Sequence, residues 1–199
     1  MKFFKLLPFI LVFSQSVWSS SFDYTQIKPE HYEKLEHRSE FTDKDGESFR
    51  VENTDSSKGL SIQLSVNGSK KWKKHGVFYR YYEGRMTEMV TYSYGRKDGL
   101  RESYNKKGVV KFRSYYQDGK LHGNWEQFND KGKLVEQCNY VKGLKQGKLY
   151  SYYNGKVDFV KDYVDGKLHG EVLQYNSKEK LVSRTKYSKG KQVGKTQWL

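Results

Sequence analysis

The chain has 199 residues, with 37 Lys or Arg against 23 Asp or Glu, a formal net charge of +14, 30% charged and 16% aromatic residues, one Cys, two Pro and no Ala. A mean hydropathy of −0.95 excludes a multi-span membrane protein, and the aromatic content excludes a disordered chain. The absence of alanine, the best helix former, beside 17 Tyr, 11 Phe and 18 Gly predicts strands and tight turns.

At the amino terminus Lys2 and Lys5 precede an apolar run from Leu6 to Phe13, and small polar residues follow from Ser14 to Ser21. This order predicts a secretory signal peptide over residues 1–19, cleaved near Ser19 or Ser21, because the apolar run is far shorter than the ~20 residues of a spanning helix. The expected mature chain has no integral membrane span and, without Lys2 and Lys5, a charge of +12. Export to a periplasm, a cell surface or the medium is the expected localisation. Residues 20–60 carry Glu30, Glu33, Glu36, Asp43 and Asp45 among Lys and His, lack any repeat, and are expected to form a charged linker or irregular cap. Cys138 is the single cysteine, so no internal disulfide and no thiolate metal cluster is expected, and the residue is assigned a structural position.

Residues 61–199 are expected to form a repeat domain, opened by a degenerate unit over residues 61–75. Its punctuation is Tyr, a Gly three residues on that is usually followed by a basic residue, and a second Gly four residues after the first. Tyr92, Tyr116, Tyr140, Tyr163 and Tyr187 open the units, at spacings of 24, 24, 23 and 24 residues. Gly95, Gly119, Gly143, Gly166 and Gly190 are the first glycines, and Gly99, Gly123, Gly147, Gly170 and Gly194 the second; both series are expected in turns. An aromatic follows five residues beyond Gly76, Gly99, Gly123, Gly147 and Gly170, at Tyr81, Tyr104, Phe128, Tyr152 and Tyr175. A further turn then holds Gly84, Gly108, Gly132 and Gly155, whereas Glu179 stands there in the last unit and predicts a turn of different build. Two residues past that turn come Met86, Val110, Leu134, Val157 and Leu181, expected on the same strand face as the next Tyr because the separation is even.

A fixed period of this length marks a stacked repeat. The prediction is an all-β, elongated antiparallel meander of about five 24-residue hairpin units, in which the aromatic and aliphatic columns form the core. The units Tyr116-Gln-Asp-Gly-Lys-Leu-His-Gly123 and Tyr163-Val-Asp-Gly-Lys-Leu-His-Gly170 resemble the MORN repeat variant, a family that includes bacterial antitoxin-like repeat proteins of the YwqK type. The resemblance covers roughly residues 72–199. It implies a ribbon of β-hairpins and a role in protein binding, scaffolding or toxin neutralisation, with membrane lipid also proposed as a target; the signal peptide departs from the intracellular members.

No enzyme, metal or cofactor is expected. His75, His122 and His169 each precede a second Gly and lie two units apart, too far for one metal ion. Glu102 and Glu126 are separated by one unit, roughly 10 Å, and are better placed as solvated strand residues, as are Glu88 and Glu136. No phosphate-binding Gly loop or nucleophile elbow occurs. Binding remains. The expected partner is another protein, with anionic lipid or an envelope polymer as the alternative and nucleic acid disfavoured. The candidate anion-binding residues are Lys70, Lys71, Lys73, Lys74, Lys106, Lys107, Lys189 and Lys191.

Overall fold

A computed structural model describes residues 28–32, 36–42 and 46–199. The predicted signal peptide, and with it Glu33, Asp43 and Asp45, lies outside the described residues. Among the described residues one 3₁₀ turn, Pro29–Tyr32, precedes fourteen strands: β1 Glu40–Thr42, β2 Ser48–Asn53, β3 Ser57–Val66, β4 Ser69–Tyr82, β5 Arg85–Ser93, β6 Arg96–Tyr104 and β7 Val110–Gln117, then β8 Lys120–Phe128, β9 Leu134–Val141, β10 Leu144–Tyr153, β11 Lys156–Val164, β12 Lys167–Tyr175, β13 Leu181–Ser188 and β14 Lys191–Trp198. They form one antiparallel sheet in which spatial order follows chain order. At about 4.8 Å per strand the ribbon runs on the order of 60 Å. The all-β meander is as the repeat predicts.

Two turn chemistries alternate along the two long edges. On one edge, hairpins such as β5–β6 close through two residues with both backbones in the left-handed region, Tyr94 at φ 46° and Gly95 at φ 88°. Such turns match the twist of the strands they join, and Gly takes the second position without a Cβ penalty. On the other edge, Asn105 holds the β6–β7 loop by accepting the N–H groups of Lys107 at 2.9 Å and Val109 at 3.0 Å on its Oδ1. Asn129 and Asn176 repeat the device. The β10–β11 hairpin instead turns on Asn154 and Gly155, one residue shorter, which accounts for the 23-residue spacing there.

Glu179 does not change the build of its turn. Its N–H donates to the Asn176 carbonyl at 2.8 Å, as Gly108 does to Asn105, and it adopts φ 58°. A side chain held in this region costs about 1–2 kcal/mol, partly offset by the greater chain entropy of an unfolded Gly. Glu179→Gly is therefore expected to raise stability by about 0.5–1 kcal/mol, seen as a higher urea midpoint at constant slope. A lowered midpoint would mean the Glu side chain makes a contact worth more than the strain.

The second glycines are not in turns. Gly99, Gly123, Gly147, Gly170 and Gly194 all lie inside strands. Gly99, at φ 102°, sits where the β5–β6 register slips between Val90 and Tyr92. Extra residues here force a bulge, and only Gly enters its positive φ readily. Across the following strand pair each of the first four lies opposite a unit-opening Tyr, Gly99 opposite Tyr116 and Gly123 opposite Tyr140, so the two signature residues are cross-strand partners.

A second bulge overturns the expected shared face of aliphatic and Tyr. Tyr81 pairs with Met86 while Arg80 pairs with Glu88, leaving Thr87 extra. The same slip sets Tyr104 opposite Val110, Phe128 opposite Leu134, Tyr152 opposite Val157 and Tyr175 opposite Leu181. One extra residue reverses the alternation, so these pairs lie on the back face and the unit-opening tyrosines on the front. The packing agrees: Phe78, Val90 and Tyr92 cluster in front, whereas Met86 and Tyr81 pack with Val77 and Tyr79 behind.

The densest core lies at the amino-terminal end, in the segment expected to be a linker or cap. Phe49 and Val51 of β2 and Leu60 and Ile62 of β3 pack with Val77, Tyr79 and Tyr32. The 3₁₀ turn lies over the back face there, its Tyr32 carbonyl accepting from Asn53 Nδ2 at 2.8 Å. The boundary expected at residue 61 falls within β3, whose residues pair with β2 from Lys58 to Ile62. Beyond this lid the described residues form a single-layer sheet that covers side chains from the flanks, and the repeat columns from Tyr104 to Tyr187 are half-buried.

Candidate binding surfaces

Successive hairpins are tied at one edge. The N–H of each first glycine donates to a carbonyl in the preceding hairpin: Gly95 to Lys74, Gly119 to Lys97, Gly143 to Leu121, Gly166 to Lys145 and Gly190 to Leu168, at 2.7–2.9 Å. At three of these five turns a side chain from the preceding hairpin completes the joint. His75 Nδ1 accepts the Tyr94 N–H and His169 Nδ1 the Lys189 N–H, both at 3.4 Å, and Gln146 Oε1 accepts the Asp165 N–H at 2.9 Å. The histidines thus serve separate turns.

An accepting Nδ1 requires the unprotonated tautomer. Burial pushes the His75 pKa below its usual 6.5, with Glu47 opposing weakly. The unfolded chain therefore takes up a proton that the folded chain resists. This contribution is complete above about pH 6.5 and is lost as pH falls through the lowered folded value. Between pH 7.5 and 5.5 the urea midpoint is expected to fall more for the native chain than for His75→Gln, which copies Gln146. Equal falls would show that His75 does not titrate against the fold.

Charged side chains form ladders rather than a convergent centre. On the back face Arg113 Nε donates to Glu102 Oε1 at 2.7 Å and its Nη1 to Glu126 Oε2 at 3.3 Å. Tyr104 O–H also donates to Glu102, at 2.7 Å. Glu88 lies on the front face, held by Arg101 at 2.7 Å and Arg80 at 3.3 Å. Cys138, buried in β9 opposite Trp125, has a thiol pKa raised chiefly by burial. In front, the lysines of one strand lie over the tyrosines of the next hairpin, Lys97 Nζ 5.0 Å from the Tyr116 ring centroid and Lys145 Nζ 5.3 Å from that of Tyr163.

The candidate anion-binding lysines are not one site. Lys106 and Lys107 belong to the β6–β7 loop, on the opposite long edge from Lys189, which is in the β13–β14 turn, and Lys191, which follows it. Lys70, Lys71, Lys73 and Lys74 are on strand β4 rather than in a turn. Of these, Lys74 is half-buried against Phe78 and Tyr92, which lowers its pKa through desolvation first. The other three are exposed where β4 pairs only with β3, so this hairpin overhangs the turn row.

A surface the repeat pattern obscured lies in the middle of that turn row. Val141, Leu144 and Val164 are 38%, 49% and 42% exposed on the back face. Val141 pairs with Leu144 across the β9–β10 turn and Val164 with Lys167 across the next. The available signal was Leu144 itself, which follows its turn glycine where Arg96, Lys120, Lys167 and Lys191 follow theirs. Clefts are small. One of about 270 Å³ lies between Tyr153, Asp158 and Asn176, and another of about 260 Å³ beside Trp125 and Asn139. Both fall short of the roughly 300 Å³ at which small-molecule sites begin.

No protein-family model matches the chain, and no curated protein matches it. Among solved structures, a similar chain is that of a mutant S. aureus TarM in complex with Fondaparinux, alpha-GlcNAc-glycerol and UDP, 14% identical over 59% of this chain and 22% of that chain, with a TM-score of 0.30.

Proposed function

We propose that the protein is an exported, non-catalytic repeat module of MORN-variant type that binds another protein along its sheet. The observation that carries this reading is the open single-layer ribbon, which among the described residues is covered behind only at its amino-terminal end and exposes Val141, Leu144 and Val164 along one edge. An extended surface with rigid, regularly spaced side chains suits a macromolecular partner better than a small ligand. The test is capture by the purified chain from envelope and host-cell extracts, at low and at about 0.5 M salt, where the screening length is roughly 4 Å. A defined protein retained at high salt supports the reading. Capture of none at either salt overturns it. Export is tested separately, by the mass of the chain recovered outside the cytoplasm, which should lack the first 19 to 21 residues.

The overhanging β3–β4 hairpin favours a second reading, attachment to anionic lipid or polymer through Lys70, Lys71 and Lys73. It requires sedimentation with anionic vesicles that weakens steeply with salt and disappears when the three lysines are changed to Glu. Sedimentation unaffected by lipid charge would remove it.

A further inference from the structure

The repeat presents the same back-face position at every turn on one edge, immediately after the turn glycine. It is occupied in order by Arg96, Lys120, Leu144, Lys167 and Lys191. Leu144, with Val141 across its own turn and Val164 on the next hairpin, makes a continuous apolar patch: a Cβ placed on Gly166 would lie 3.4 Å from Leu144 Cδ2. Lys120 lies one unit before the patch, Lys167 beside it and Lys191 one unit beyond. Among the described residues these three lysines are exposed and make no ion pair, unlike Arg96, which is 3.7 Å from Asp118.

The spacing selects the shape of an occupant that lies along this edge. Successive units advance by two strands, about 10 Å. An extended peptide covers that distance in three residues, an odd number, so its side chains would meet alternate units from opposite faces. An α-helix covers it in seven residues, about 10.5 Å, returning the same face to each unit. The flanking charge selects the chemistry, apolar residues on the patch and carboxylates to either side. We infer that Leu144, Val141 and Val164, flanked by Lys120, Lys167 and Lys191, are a docking surface for an acidic amphipathic helix of a partner protein. This rests on the protein-binding reading above and names its partner class.

The probe is a synthetic three-heptad helical peptide with Leu along one stripe and Glu beside it, titrated against the full chain by fluorescence anisotropy at about 0.15 M salt. Its controls are a version with Lys for Glu and a scramble without a stripe. The acidic amphipathic peptide is expected to bind at least tenfold more tightly than either. Leu144→Ser with Val164→Ser should weaken it tenfold or more. Lys120→Glu with Lys167→Glu should weaken the acidic peptide and strengthen the basic one. All four positions are exposed, so the urea midpoints of both variants should stay within error of the native value. Equal binding of the three peptides, or discrimination that survives both variants, overturns the inference. So does capture of phosphatidylserine vesicles through Leu144 and Val164 without peptide binding. A natural partner retained at high salt but indifferent to both variants would reject this surface and leave the protein-binding reading standing.

Discussion

Phe49→Ala is expected to cost about 3–5 kcal/mol, the range for emptying a fully enclosed Phe site. Phe49 has no exposed surface and is surrounded by Tyr32, Val51, Leu60, Ile62, Val77 and Tyr79. The loss should be local, since a ribbon whose hairpins touch only their neighbours has stability that is a sum of near-neighbour contributions. Hydrogen exchange resolves this. Protection should fall across β2 to β4 and persist in β10 to β13. The half-buried Phe159 of β11 gives the contrast, and Phe159→Ala should cost less than half as much. A loss near 1 kcal/mol for Phe49→Ala, or equal losses at both positions, would show that the lid end is not the anchor of the array.

Gly59→Ala should be nearly as damaging for a different reason. Gly59 lies at the β3–β4 register slip, and a Cβ there would sit 2.6 Å from Cδ1 and Cγ of Phe78. The ring cannot swing away: it is 1% exposed, packs against Val90, and meets the Tyr92 ring edge-on at 5.5 Å. Overpacking of this kind costs roughly 1–3 kcal/mol, and the rigid surroundings place Gly59→Ala at the upper end, about 3 kcal/mol. Phe78→Leu removes the obstructing ring, so the same Ala should cost markedly less in that background. Additive losses in the double-mutant cycle would mean that the backbone, and not the ring, makes the site intolerant.

The hairpin period was legible because turn chemistry is local. Glycines at fixed offsets mark where the backbone must leave the ordinary strand conformation whatever the rest of the chain does. Facing was not legible, because one extra residue, such as Thr87, reverses the alternation and leaves no mark in composition. Nor was the role of the second glycines, since a bulge and a turn both demand positive φ. Glu179 misled in the opposite direction: an Asn cap can hold a turn residue that lacks glycine's freedom. The strands before residue 61 were hidden by their shortness. Phe49 and Val51 alternate with Arg50 and Glu52 for one period only, which is too little to separate from a charged linker. At the candidate surface a motif generalised over the units concealed Leu144, the one of the five residues after a first glycine that is not basic.

The strands lie across the ribbon, so the backbone hydrogen bonds joining them point along its length. Tension between the two ends of the sheet would load these bonds as a zipper, one rung after another, rather than shearing a whole row together. The joint at each turn glycine adds one bond per hairpin to the rungs already there. The molecule would thus yield in steps of one hairpin at modest force, lengthening as a compliant tether.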